Sequence, residues 1–199
     1  MKRIIISALA SALLCLNLSA QNESLEHGLY AICDGTPVEM HAVKGIAHHS
    51  GVSVLGVDLG DIKYEYKGAT SKIQASGEFL MVCDSTVAVV YNAFKNFNPC
   101  GKTMTPDNII IVPLEVVKNK NRIYDMGETI NGFNTARKER VEFSWEQVED
   151  RTYLISCDPE PGEYCIVFRL DRLGKYEYSR VFDFTIPAKA EAAPAQEQP

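Results

Sequence analysis

The chain reads as an all-β protein, an antiparallel β-sandwich with a partly open β-barrel as the alternative. Three observations lead there. Apolar residues recur with period two over short runs, turn-forming residues punctuate the chain every few residues, and no long stretch carries the 3.6-residue repeat of a helix. Roughly nine to eleven strands follow, one for each apolar run.

Gly28 to Cys33 is the first strand, and Asp34-Gly35 is a turn dipeptide that joins it to Thr36–Val43 as a hairpin. After Gly45–Ser50 comes Gly51–Leu59, where Val52, Val54 and Leu55 favour extended structure and Gly56 is expected to mark a bulge or a close backbone approach. In Ile62–Lys67 the apolar Ile62, Tyr64 and Tyr66 alternate with Lys63, Glu65 and Lys67, the pattern of a strand with one solvated face. Ser71–Ala75 is a further short strand, and Glu78–Cys83 another, ended by Asp84-Ser85. Thr86–Phe94 is β-branched and reads as strand, with one helical turn as the alternative. Asn96–Asn108 is a loop by its Asn, Pro, Gly and Asp content.

Ile109–Val117 is a strong strand in which Pro113 marks a bend or an edge. Lys118–Tyr124 reads as a polar connection, overlapping an extended run over 122–130 that closes at Asn131-Gly132. Arg140–Trp145 is a strand and Glu146–Arg151 a turn. Thr152–Cys157 and Gly162–Leu170 are expected to pair as a second hairpin around Pro159–Gly162. After a turn at Asp171–Lys175, Tyr176–Ile186 is the closing strand, and Pro187 onwards is an Ala/Pro/Glu/Gln tail without core-forming residues.

The first twenty residues carry the address. Met1-Lys2-Arg3, an apolar run from Ile4 to Leu18 and the small residues Ser19-Ala20 have the layout of a cleaved signal peptide. The run is too short for a bilayer span, which needs about 20 residues, so no integral membrane segment is expected. Cys15 lies inside the apolar run behind Leu14, not behind the small residue that lipidation favours, and ordinary cleavage would discard it. The expected organisation is a signal peptide over 1–20, a lead-in over 21–27, one β-rich domain over 28–186 and a disordered tail over 187–199. The location is the periplasm or the cell exterior.

Loss of Lys2 and Arg3 takes the formal charge from -6 to -8. A dispersed acidic surface disfavours nucleic acid. Five cysteines remain after cleavage: Cys33, Cys83, Cys100, Cys157 and Cys165. Export would let disulfides persist, and the odd number leaves one thiol over. A Cys157–Cys165 bridge across the expected hairpin and two buried thiols are both open readings. No Cys-x-x-Cys pair occurs.

No grouping amounts to a catalytic, cofactor or metal signature. His48-His49 with Asp58 and Asp61 would suit zinc only if an irregular loop turned both rings to one side, because neighbouring strand side chains point apart. Glu160 and Glu163 sit on an expected solvated turn. There is no Gly-x-Ser-x-Gly elbow and no phosphate loop. Tyr64, Tyr66, Tyr176 and Tyr178 alternate on two strands; they form either a glycan-binding strip or sheet packing.

The Gly28-Leu-Tyr-Ala-Ile opening with Val38-Glu-Met, the basic connection near Lys118–Arg122, Tyr153-Leu-Ile, Pro161-Gly-Glu-Tyr164 and Val181-Phe-Asp-Phe-Thr-Ile186 together resemble small exported β-rich bacterial proteins of unknown function. The resemblance spans about residues 28–186 and implies an exported β domain without implying a mechanism. The expected class is a non-catalytic envelope or secreted domain that binds a protein or glycan. The alternatives are an accessory subunit of an envelope assembly and a hydrolase whose residues converge only on folding.

Overall fold

The computed structural model describes residues 25–54, 57–84, 99–101, 104–130, 133–134, 140–169 and 178–188. The signal segment, the Thr86–Phe94 run, the Gly56 bulge, Tyr176 and most of the tail lie outside them. The described residues form an all-β fold of two antiparallel sheets, one of them open and strongly curled into a half-barrel. The barrel-like alternative thus describes one sheet, and a second, smaller sheet packs on its outside.

In chain order the strands are β1 (Gly28–Cys33), β2 (Thr36–Glu39), β3 (Val43–Lys44), β4 (Ile46–Val54), β5 (Val57–Lys67), β6 (Glu78–Val82), β7 (Ile109–Val117), β8 (Asn121–Ile130), β9 (Phe133–Asn134), β10 (Phe143–Glu149), β11 (Thr152–Cys157), β12 (Gly162–Phe168) and β13 (Arg180–Ile186). The small sheet has the order β10-β11-β6-β1-β2. The curled sheet runs β3-β13-β12-β7-β8-β5-β4, with β9 also on β8. Its two edges, β3 and β4, are separated in the chain only by Gly45, whose N–H donates to the Ser179 carbonyl at 2.9 Å. One continuous run therefore serves both edges, and the sheet must curl to let it.

The first hairpin forms as its sequence dictates. Asp34 and Gly35 both take positive φ, 50° and 78°, the backbone of a two-residue primed turn whose twist matches paired strands. Lys118 and Asn119 do the same at φ 53° and 50°, so the polar connection expected over 118–124 shrinks to a tight turn and β8 begins at Asn121. Gly51 and Gly60 face each other across β4 and β5. A Cβ on either would lie 2.2 Å from a carbonyl oxygen of the other strand, so this close approach admits no side chain.

Three expectations need correcting. β11 and β12 are strands, but they do not pair: β11 sits between β10 and β6, and β12 between β7 and β13. The Asp158–Pro161 link carries the chain from one sheet to the other. The turn expected over Glu146–Arg151 is mostly strand, since β10 runs on to Glu149 and reverses at Arg151, φ 53°. Ser71–Ala75 forms no strand; it lies along β13 through an isolated bridge from Gln74 to Thr185.

The sheets share a core of Leu29, Ala31, Phe79, Met81 and Ile155 from the small sheet against Ile111, Ile166, Phe168, Phe182 and Phe184 from the curled one. A second apolar cluster fills the half-barrel: Ile62, Tyr66, Val112, Leu114, Tyr124, Met126, Cys165, Val167, Tyr178 and Val181. β12 is covered on both faces and is buried from Glu163 to Phe168, which is why it reads as a near-continuous apolar run.

Candidate functional site

The edges of the two sheets are not equally protected. An edge strand exposes a row of unpaired N–H and C=O groups, and natural sheets blunt it with shortness, proline, charge or bulges. β2 has four residues and includes Pro37 and Glu39. β10 carries Glu146 and Glu149 and shifts register between Gln147 and Glu149. β3 has two residues. β4 uses none of these devices. Its nine residues, Ile-Ala-His-His-Ser-Gly-Val-Ser-Val, contain no proline, lysine, arginine or carboxylate and pair with β5 without a register shift. Among the described residues no strand covers its outer edge.

The same strand exposes apolar side chains. Ile46 is 47% and Val52 65% accessible, and Leu59, directly opposite Val52, is 42% accessible. On the outer face nearby, His48 Nε2 meets Glu65 Oε2 at 2.9 Å and Lys63 Nζ meets Asp125 Oδ2 at 2.9 Å. The Asp125 carboxylate accepts a hydrogen bond from the Lys63 ammonium and raises its pKa. These pairs are surface-exposed and add little stability, but they hold β4, β5 and β8 in register beside the open edge.

His48 and His49 do not face a common point. They lie on regular strand opposite Lys63 and Ile62, so their rings point to opposite sides. Asp61 pairs in register with Ser50 and Asp58 with Ser53. Among the described residues no group of three His, Cys, Asp or Glu could hold an ion. The irregular loop that zinc would need is replaced by β4.

Glu160 and Glu163 are not a solvated pair. Glu160 is exposed, and its carbonyl accepts a hydrogen bond from the Tyr164 hydroxyl at 2.7 Å. Glu163 is buried; Oε2 accepts from Ser71 N at 2.9 Å and Oε1 from Thr185 Oγ1 at 2.7 Å. Arg122 completes this network. Its Nη1 lies 3.5 Å from Glu163 Oε2 and bonds Asp183 Oδ2, while Nε and Nη2 donate to the Gly68 and Lys67 carbonyls at 3.1 Å each. Ser71 Oγ donates to the Asp183 carbonyl at 3.0 Å. The network ties residues 67–71 to β8, β12 and β13, and among the described residues every buried side-chain N or O has a partner. The sequence signal was present: Arg122, Tyr124 and Met126 alternate as the inward face of β8.

The tyrosines pack inward. Tyr66 is buried and donates its hydroxyl to the Tyr178 carbonyl at 2.7 Å. Tyr178 stacks on Tyr124 with ring centres 4.8 Å apart and meets Tyr64 at 5.5 Å. Burial raises the pKa of both Tyr66 and Tyr178 above the ordinary phenol value. They form half-barrel core, so the alternating pattern reflects packing.

Cys157 and Cys165 do not meet. Cys165 faces the half-barrel interior and Cys157 packs at the rim of the core between the sheets. Burial pushes the Cys157 thiol up to about 12. Its Sγ lies 3.4 Å from the Gly77 carbonyl oxygen, to which it donates. A shallow cleft of about 460 Å³ opens beside it, lined by Glu142, Phe143, Ser144, Ser156 and Asp158. Cys83 and Cys100, by contrast, come together in the core between the sheets.

No protein-family model, curated protein or solved structure matches the chain.

Proposed function

We propose that the protein is a non-catalytic accessory subunit of an envelope assembly, one that offers the outer edge of β4 to an extended segment of its partner. The observation that carries this reading is the contrast among edges: the longest edge strand is the one without proline, bulge, lysine, arginine or carboxylate. Strand addition draws affinity from main-chain hydrogen bonds and specificity from alternate side chains. Here an incoming strand would meet Ile46, His48, Ser50 and Val52 on one face and Ala47, His49 and Ser53 on the other. Location in the periplasm or outside the cell follows the leader-like Met1–Ala20 segment. A glycan site on the tyrosine strip loses its support, because Tyr66 and Tyr178 are core residues.

The test uses a photoactivatable amino acid at Ser53, in cells, with cross-linked peptides identified by mass spectrometry. One recurrent partner peptide in an extended register is expected. Proline at Ala47 and at His48, introduced separately, supplies the control. In an antiparallel pair one of two neighbouring N–H groups points to β5 and the other outward. The proline that leaves the melting temperature unchanged should abolish the cross-link. A cross-link indifferent to both prolines, or none at all, refutes the edge.

A further inference from the structure

Five thiols remain in the mature chain, and the fold brings only two of them into contact among the described residues. Cys83 follows β6 and Cys100 lies 17 positions further along the chain. Their thiols are within hydrogen-bonding reach, and both are buried in the core between the sheets. The backbone holds them there independently of the sulfurs. Asp84 N donates to the Cys100 carbonyl at 3.1 Å. Arg151 bridges the two segments, with Nε donating to the Cys83 carbonyl and Nη2 to the Gly101 carbonyl, each at 3.0 Å. Cys83 N in turn donates to the Arg151 carbonyl at 2.9 Å. One side chain thus clamps both ends of the intervening chain.

The other cysteines are placed elsewhere. Cys33 and Cys157 belong to β1 and β11, which flank β6 on opposite sides. Two strand spacings, about 9–10 Å, separate such neighbours, beyond the roughly 7 Å Cα limit of a disulfide. Cys165 lies in the half-barrel.

We propose that Cys83 and Cys100 are the sites of an intramolecular disulfide, made as the chain folds in the presence of a small-molecule or protein disulfide, that locks the foot of the connection between β6 and β7. In the reaction the Cys83 thiolate attacks one sulfur of the oxidant disulfide and expels its other half as a thiolate. The Cys100 thiolate then attacks Cys83 Sγ and expels the second half. The two protons lost by the cysteines end on the two released thiols, and two electrons pass from the cysteine sulfurs to the oxidant. Cys83 is the first nucleophile: the hydrogen bond from the Cys100 thiol and then the Arg151 guanidinium lower its pKa, whereas that same hydrogen bond, and then burial, keep Cys100 protonated. The inference does not depend on the accessory-subunit reading.

The experiment starts from the full chain, reduced and unfolded, then refolded in a mixture of reduced and oxidised glutathione. Once circular dichroism shows native β structure, the chain is opened in acidic denaturant containing N-ethylmaleimide to cap every free thiol, then digested with trypsin without reduction. Cleavage after Lys72, Lys95 and Lys102 puts Cys83 and Cys100 on separate peptides, 73–95 and 96–102. The expected result is one linked species, lighter by two hydrogens than the sum of those peptides, with maleimide absent from both cysteines. Cys100→Ser should lose that linked species and carry maleimide on Cys83. Maleimide on both Cys83 and Cys100 of the folded chain, or Cys83 linked to Cys33, Cys157 or Cys165, overturns the proposal.

Discussion

At the scale of single residues, the most consequential group is Arg122. Its guanidinium sits beside Asp183 and Glu163 with all three side chains almost wholly enclosed. Removing one partner of a buried ion pair leaves an uncompensated charge, which costs about 3–5 kcal/mol. Arg122→Met should therefore lower the unfolding free energy by about that much, read from the urea midpoint at constant m-value. Tyr66 and Tyr178 make a second prediction, with a definite sign. Both are phenols whose folded pKa lies above the unfolded value of about 10. Their contribution is fully present below the unfolded pKa. As pH climbs past it, the unfolded chain gives up protons that the folded chain keeps, so stability falls. Each tyrosine contributes about 1.4 kcal/mol per pH unit to that decline. Denaturant melts between neutral and strongly alkaline pH should show a flat region and then a fall. Tyr66→Phe should lower stability at neutral pH by about 1 kcal/mol, through the lost hydrogen bond to Tyr178, yet soften the alkaline slope.

At the scale of elements, the β4–β5 hairpin depends on the facing glycines. An added methyl at Gly51 or Gly60 meets a carbonyl oxygen at 2.2 Å, so strands must separate to admit it. Gly51→Ala and Gly60→Ala should each cost about 1–3 kcal/mol, the usual range for overpacking. Hydrogen exchange should quicken in the amides of β4 and β5 and stay slow in β6 and β12. If the edge of β4 is the docking surface, either substitution should also weaken the Ser53 cross-link. The strands themselves were largely legible from period-two alternation, as in Ile62–Lys67, and the first turn from Asp34-Gly35. The Glu146–Glu149 part of β10 was not. An edge strand with most of its side chains in water has little apolar alternation to read: in Glu146–Glu149 only Val148 is apolar. β8 was misread at its start for the opposite reason. Arg122 looks like a loop residue, yet it points inward, because its charge is neutralised by carboxylates that arrive from β12 and β13.

At the scale of the whole molecule, the Cys83–Cys100 link would tie the foot of a long connection to the core. Closing a loop of about 15 residues is worth about 3 kcal/mol in the chain-entropy account. For a chain of 150–250 residues, 1 kcal/mol moves the melting temperature by about 2–4 °C. A reductant should therefore lower it by about 6–12 °C. Cys83→Ser should remove the reductant dependence. The calorimetric shift reads the covalent bond through its effect on the unfolded state, independently of the peptide map.

Local chemistry settled what the backbone does over short distances: extended runs and a primed turn at Asp34-Gly35. Those features depend on side-chain alternation and on φ preferences within a few residues. Which strands pair depends on contacts between distant residues, and that only the tertiary structure decided. The Asp158–Pro161 link looks like a hairpin loop, but β11 and β12 join different sheets because each buries its apolar face against a different neighbour. The same long-range packing parts Cys157 from Cys165, sets Cys83 against Cys100 and turns Tyr66 and Tyr178 inward. It also leaves β4, whose residues look unremarkable in one dimension, at the edge of a sheet where their lack of charge acquires a meaning.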